Sequence, residues 1–248
     1  MQKNLLKPFR TLLAATLLAV CGAAVAASLQ VAPTSVVLQP DTKGEALWLS
    51  NTDENAPVRA QVRVYRWTQE NGEDILEPTR QLAISPPLVE LAGGARQLVR
   101  VIRLAPPPQD IEASYRIIVD EVPETDDEDQ TGLQFLLRYS IPVFVLPTSA
   151  TPIDYDLVPR LEVQDGTATL IVANRGRQHA QIADLAYVDA AGKRHELIGG
   201  LVGYVLPGET MRWPLPAASS RYADGGSFKA RINGEAVEQT LALGPARR

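Results

Sequence analysis

The chain has 248 residues, of which 45% are hydrophobic and 21% charged, and its formal net charge is −5. That balance fits a globular chain with room for two domains of ordinary size and excludes disorder and collagen-like repeats. The acidic surplus argues against a nucleic-acid partner, whose phosphates call for clustered Lys and Arg.

The first segment carries Lys3, Lys7 and Arg10, an apolar run from Leu12 to Val20, and small residues ending in Ala24-Val25-Ala26. This is the layout of a cleavable secretory signal over residues 1–26, with the mature chain starting near Ala27. The run is shorter than the roughly 20 residues a bilayer span needs, so no membrane insertion is expected. Cys21 is the sole cysteine and leaves with the signal. A lipoprotein site there is disfavoured by the bulky Val20. The exported chain therefore has no disulfide, no thiol nucleophile and no thiolate metal ligand.

After the signal, alternating or β-branched runs recur about every ten residues, separated by Pro, Gly, Asn and Asp, as in a β-sandwich. Strands are predicted around Leu29–Val31, Ser35–Leu38, Glu45–Ser50, Arg59–Trp67, Leu88–Leu91, Gln97–Leu104, Tyr115–Glu121 and Leu133–Leu146. Asn71-Gly72 has the composition of a tight hairpin, but the residues after it are charged and do not alternate clearly. The stretch Pro147-Thr148-Ser149-Ala150-Thr151-Pro152 breaks the pattern and reads as a hinge, giving a first domain over 27–148 and a second over 149–248. Strands then resume at Arg160–Val163, Thr167–Asn174, Gln181–Val188, His195–Leu201, Thr210–Leu215, Phe228–Ile232 and Ala236–Leu243. Asn233-Gly234 is the firmest hairpin signal of the chain. The fold class expected is all-β, two sandwiches in tandem.

Chemistry has little to stand on. His179 and His195 lie in polar, turn-adjacent stretches and read as solvated surface side chains. Gly93-Gly94 and Gly199-Gly200 lack the pattern of a phosphate loop. The run Asp126-Asp127-Glu128-Asp129 lacks the spaced ligands and glycine of a calcium loop and reads as a solvated connection. Trp48, Trp67 and Trp213 sit in strand-like runs and are expected in cores. No catalytic residue, metal or cofactor is expected, and no enzyme.

The most informative segment is Leu133 to Val145, where Leu133, Phe135, Leu137, Tyr139, Ile141, Val143 and Val145 occupy every second position. One face of this strand is apolar throughout, and Pro142, which has no N–H, points to an edge or a bulge. A retained apolar edge invites a partner strand. An interior strand with one buried face alternates in the same way. The acidic loop before it either keeps the apolar arm accessible or is simply a long solvent loop.

Several phrases together resemble the PapD-like periplasmic chaperones of chaperone–usher fimbriae. They are Leu29-Gln30-Val31-Ala32-Pro33-Thr34, Leu49-Ser50-Asn51-Thr52, Val62-Arg63-Val64-Tyr65-Arg66-Trp67, Ser85-Pro86-Pro87, Gln97-Leu98-Val99-Arg100-Val101, the run from Tyr115 to Pro123, and the run from Tyr139 to Val145. The Trp67 region and Ser140-Ile141-Pro142-Val143-Phe144 are most similar to the archaic branch that serves spore-coat-protein-U-like subunits. The resemblance implies a boomerang of two immunoglobulin-like sandwiches in the periplasm, which lends an edge strand to pilus subunits and passes them to an outer-membrane usher without nucleotide. Its subunit-binding residues would be Leu133, Phe135 and Leu137, with Tyr139 and Ile141 next. Many relatives grip the subunit's C-terminal carboxylate with an Arg in the first strand and a Lys late in the edge strand; here Ser35 and Pro142 stand there. Arg116 is the first alternative anchor and Arg138 the second, against readings of Arg116 as a structural ion pair and Arg138 as an exposed strand arginine. Arg100 and Glu121 correspond to a structural salt bridge near the domain junction. The free protein is open to pairing its own edges into a homodimer. The rivals are a structural pilus component and an exported β-sandwich binding module.

Overall fold

The computed structural model describes residues 28–123, 136–149, 154–222, 224–241 and 243. The signal segment, the acidic run at 126–129, Leu133 and Phe135, and residues 150–152 of the hinge stretch lie outside them.

Ten strands build the first half: β1 (Leu29–Ala32), β2 (Val36–Leu38), β3 (Gly44–Asn51), β4 (Val58–Glu70), β5 (Glu73–Pro78), β6 (Leu82–Ser85), β7 (Leu88–Leu91), β8 (Arg96–Arg103), β9 (Ala113–Val122) and β10 (Arg138–Val145). One sheet runs β1-β3-β8-β6, the other β2-β10-β9-β4-β5, with β7 also paired to β4. Their facing sides enclose a core that includes Leu29, Leu47, Leu49, Val99, Val101, Ile117, Val119 and Val143, all fully buried. The second half comprises β11 (Leu157–Gln164), β12 (Thr167–Asn174), β13 (Ala180–Asp189), β14 (Arg194–Val205), β15 (Thr210–Ala218), a 3-10 turn (Ser219–Tyr222), β16 (Gly226–Ile232) and β17 (Gln239–Leu241). Sheets β11-β12-β15 and β14-β13-β16-β17 close on a separate core around Leu170, Ile182, Tyr187 and Phe228. The all-β pair of sandwiches is thus as the alternation implies.

Turn chemistry decides several connections. At Asn71-Gly72 both φ angles are positive, 55° and 84°, and Glu70 pairs with Glu73, so the tight hairpin forms even though charged β5 hides its own alternation. Asn233-Gly234 makes the turn it signals, φ 50° and 72°, and Glu235 N–H donates to Ile232 C=O at 3.0 Å. The returning strand starts only at Gln239, however, because Ala230 pairs with Gln239.

Three strands of the second sheet change character along their length. In β4, Val58, Ala60 and Val62 face the core; beyond Tyr65 the opposite phase, Trp67 and Gln69, is the buried one. In β9, Tyr115, Ile117, Ile118 and Val119 are buried, so the middle of that strand is covered on both faces. In β10, Arg138 and Ser140 are exposed, whereas Ile141 to Val145 are buried without alternation. Side chains buried on both faces of a strand are already committed to packing within the chain. For part of the apolar run this means that the sandwich uses the residues itself: Ile141 is 4% exposed and belongs to its core, with Leu137 and Tyr139 packed against it.

Candidate functional site

Among the described residues, the edge of β10 is unpaired over only part of its length. On one side β9 pairs with all of it, Arg138↔Asp120 through Val145↔Ala113; on the other, β2 covers only Val143 to Val145. Glu121 N–H donates to Leu137 C=O, so the odd positions bond toward β9; Leu146 N–H donates to Leu38 C=O, so the even ones point toward β2. Along Arg138–Pro142, where β2 is absent, Arg138 and Ser140 therefore direct their backbone N–H and C=O groups outward. Pro142 stands at an outward position, where its missing N–H removes no bond to β9. Tyr139 is tied down, its hydroxyl donating to Leu29 C=O.

The outer face of this sheet, read across its registers, lines up Gln61, Asp120 and Arg138, then Arg63, Ile118 and Ser140, then Pro78, Tyr65, Arg116 and Pro142. Asp120 is the acceptor for both Arg63 and Arg138. Arg138 remains 69% exposed. Arg116 is only 11% exposed: its guanidinium carbon lies 3.7 Å from the Trp67 ring centroid and 5.0 Å from that of Tyr204, with Asp74 at 3.9 Å. Burial lowers its pKa, and Asp74 and then Tyr204 oppose that. The neighbouring Trp67 Nε1 is buried without a hydrogen-bond partner. Arg116 is thus a largely buried cation with only a weak ion pair, stacked on a ring whose own donor has no partner, and a carboxylate would suit its charge.

Trp67 belongs to a small apolar cluster with Phe144, Tyr204 and Leu206, which bridges the two sandwiches. Gln69 fastens it: its amide donates to Tyr204 C=O at 3.0 Å and accepts from Leu206 N–H at 2.9 Å. His179 stacks flat on Phe144, 3.5 Å between centroids, and its Nδ1 lies 2.8 Å from Glu112, whose side chain is fully buried. His195 pairs with Asp189 at 2.9 Å. Neither histidine is the solvated side chain its polar neighbours suggest, because each sits against a carboxylate from a distant or turning segment. Trp67 is buried at this junction and not in either sandwich core, while Trp48 and Trp213 are half-buried.

Arg100 and Glu121 do not pair. Arg100 stands exposed on β8, in the first sheet; Glu121 is on β9, in the second, and its carboxylate accepts from Leu137 N–H at 3.2 Å. Residues on opposite sheets of one sandwich, one of them facing solvent, cannot meet across the core. The junction is held by Gln69, by Glu112 with His179, and by the Trp67 cluster instead. A polar residue in the same phase as Trp67 was the available signal for Gln69; nothing local marks Glu112. Among the described residues no cluster of His, Cys, Asp and Glu could hold a metal ion.

A family model for the pili and flagellar-assembly chaperone, PapD N-terminal domain, matches residues 28–151. No curated protein matches the sequence. Among solved structures, the chain is similar to one in the CsuC–CsuE chaperone–tip adhesion subunit pre-assembly complex from archaic chaperone–usher Csu pili of Acinetobacter baumannii, with a TM-score of 0.66 and 22% identity, covering 86% of this chain and 97% of that one. The CupB2 chaperone of Pseudomonas aeruginosa gives a TM-score of 0.59 at 19% identity, covering 87% and 100%. The complex of the Salmonella enterica SafA pilin with the SafB chaperone also gives 0.59 at 19% identity, covering 89% and 93%. At such identities the likeness shows the fold.

Proposed function

Since the chain belongs to the PapD-like family of pilus-assembly chaperones, which are not enzymes, we propose that it binds pilus or adhesin subunits in the periplasm by donor-strand complementation and delivers them to an outer-membrane usher. The observation that carries this reading is the free stretch of β10. Arg138 and Ser140 offer unpaired ladder groups, and the apolar phase of the same strand leads back through Leu137 toward Phe135 and Leu133. Leu137, Tyr139 and Ile141 share one face, and the last two already fill the host's core. A guest strand at this edge would therefore have its own groove in line with that core, filled by Leu133, Phe135 and Leu137. Each such side chain contributes roughly 1.5–3 kcal/mol when buried, and the ladder fixes register, since a one-residue slip would turn Leu136 and Arg138 inward.

We assign the subunit's C-terminal carboxylate to Arg116, supported by its burial beside the unpartnered Trp67 Nε1. Arg138 is already committed to Asp120. When no client is present, the open edge is available to a second copy. The test is periplasmic co-production with small exported β-rich proteins, followed by intact-complex mass spectrometry. A one-to-one complex is expected, with a client that precipitates or is degraded alone. Leu137→Asp should leave the fold intact with a lowered thermal transition, because the residue packs at the rim of the core, and abolish capture. Arg116→Ala should weaken it. Native-level capture by the Leu137 variant would overturn the edge assignment.

A further inference from the structure

The sheet opposite the one that carries β10 turns a second surface to solvent. On β8, Val99 and Val101 are fully buried, so Arg96, Leu98 and Arg100 project outward. Their cross-strand neighbours on β3 are Ser50, Trp48 and Ala46 in turn. The next neighbours are Gln30 and Ala32 on β1 and Ser85 on β6. The small residues leave two exposed arginines around a half-buried leucine and tryptophan in one patch. None of these outward residues is acidic, in a chain whose net charge is −5.

Two features say what the patch fits. Arg96 lies over the Trp48 ring, 3.9 Å from its centroid. The stack denies that ring to a sugar and holds the planar guanidinium in place, which suits bidentate capture of a carboxylate. Arg100, four residues along the same strand and face, is exposed and makes no ion pair or hydrogen bond among the described residues. Four strand residues span about 13 Å. An extended polypeptide with carboxylates at the same interval, and an apolar residue midway over Leu98 beside the covered Trp48 ring, meets both arginines and the leucine. Tryptophan and arginine at the centre of a patch are also the residues that most often carry interface energy.

We propose that the Arg96–Trp48–Arg100 face docks an extended acidic segment of a partner protein, of the pattern acidic, apolar, acidic at alternate positions. The surface lies on the other sheet from β10, so this docking and subunit capture stand or fall separately.

The test uses the mature protein and a fluorescein-labelled, threonine-rich peptide with two glutamates four residues apart and a valine between them, read by fluorescence anisotropy. Binding is expected to weaken at least about tenfold in Arg100→Gln. A similar loss is expected when the peptide's glutamates become glutamines or are moved next to each other. Trp48→Phe, which keeps a ring beneath Arg96, should bind more weakly than the parent protein and more tightly than Arg100→Gln. Absence of peptide binding, an unchanged affinity in Arg100→Gln, or equal affinity for peptides of either spacing would overturn the proposal. So would dextran sulfate displacing the peptide stoichiometrically, since the face would then be a site for polyanions of any kind.

Discussion

Asp120 shows how much one carboxylate can organise on an exposed sheet face. Burial alone would raise its pKa, but hydrogen bonds from Arg138 and then Arg63, with their positive charges, hold it below the usual carboxylate range. A depressed carboxylate stabilises the fold at any pH above its unfolded value, about 3.9, and that contribution fades as pH falls through the lower folded value. Asp120→Asn should therefore lower the thermal transition near neutral pH, and the gap to the parent protein should close below about pH 4. Melting curves for both proteins across that range check it; a gap that persists at the acid end would mean the carboxylate's charge is not what matters. The arginines could be read as strand residues from sequence, but not their partners. Arg63, Asp120 and Arg138 come from three separate strands, and only the pairing register brings them onto one acceptor. The same reason defeats the Arg100–Glu121 pairing.

Strand β10 is two elements in one. Its C-terminal part, Val143 to Val145, is interior, held by β9 on one side and β2 on the other, while the part from Arg138 to Pro142 has no second strand among the described residues. The outward direction of Ser140 allows folding and capture to be separated. Ser140→Pro removes an N–H that bonds nothing among the described residues, and both Tyr139 and the new proline stay within extended backbone. The expected outcome is a thermal transition close to that of the parent with client capture reduced, measured by circular dichroism and by co-purification. Full capture by this variant would show that the guest does not pair with this edge. The alternation from Leu133 to Val145 made the strand legible. It could not say where the edge ends, because burial of the second face of Phe144 comes from Trp67 and His179, which are remote in sequence.

The two sandwiches meet through a polar rim as well as an apolar cluster. Glu209, in the turn between β14 and β15, is pushed up by burial and then by Glu70 at the end of β4 in the first half. A raised carboxyl favours the fold when protonated, so its charge is a cost above the folded value and none below the unfolded one. Glu209→Gln should raise the thermal transition at neutral pH by a degree or two and leave it unchanged near pH 3.5, as scanning calorimetry at the two pH values would tell. An equal gain at both would point to altered packing of the turn. The sequence by itself determined the all-β class, most of the strands and the apolar strand that ends at Val145. Those follow from period-two alternation and turn residues, which act over a few neighbours. Only the tertiary structure decided which half of β10 is free, why β4 changes its buried face after Tyr65, and how Gln69, Arg116 and His179 come to line the junction. Each depends on a surface supplied by the other sandwich or by a distant strand, and burial of that kind leaves no local period to read.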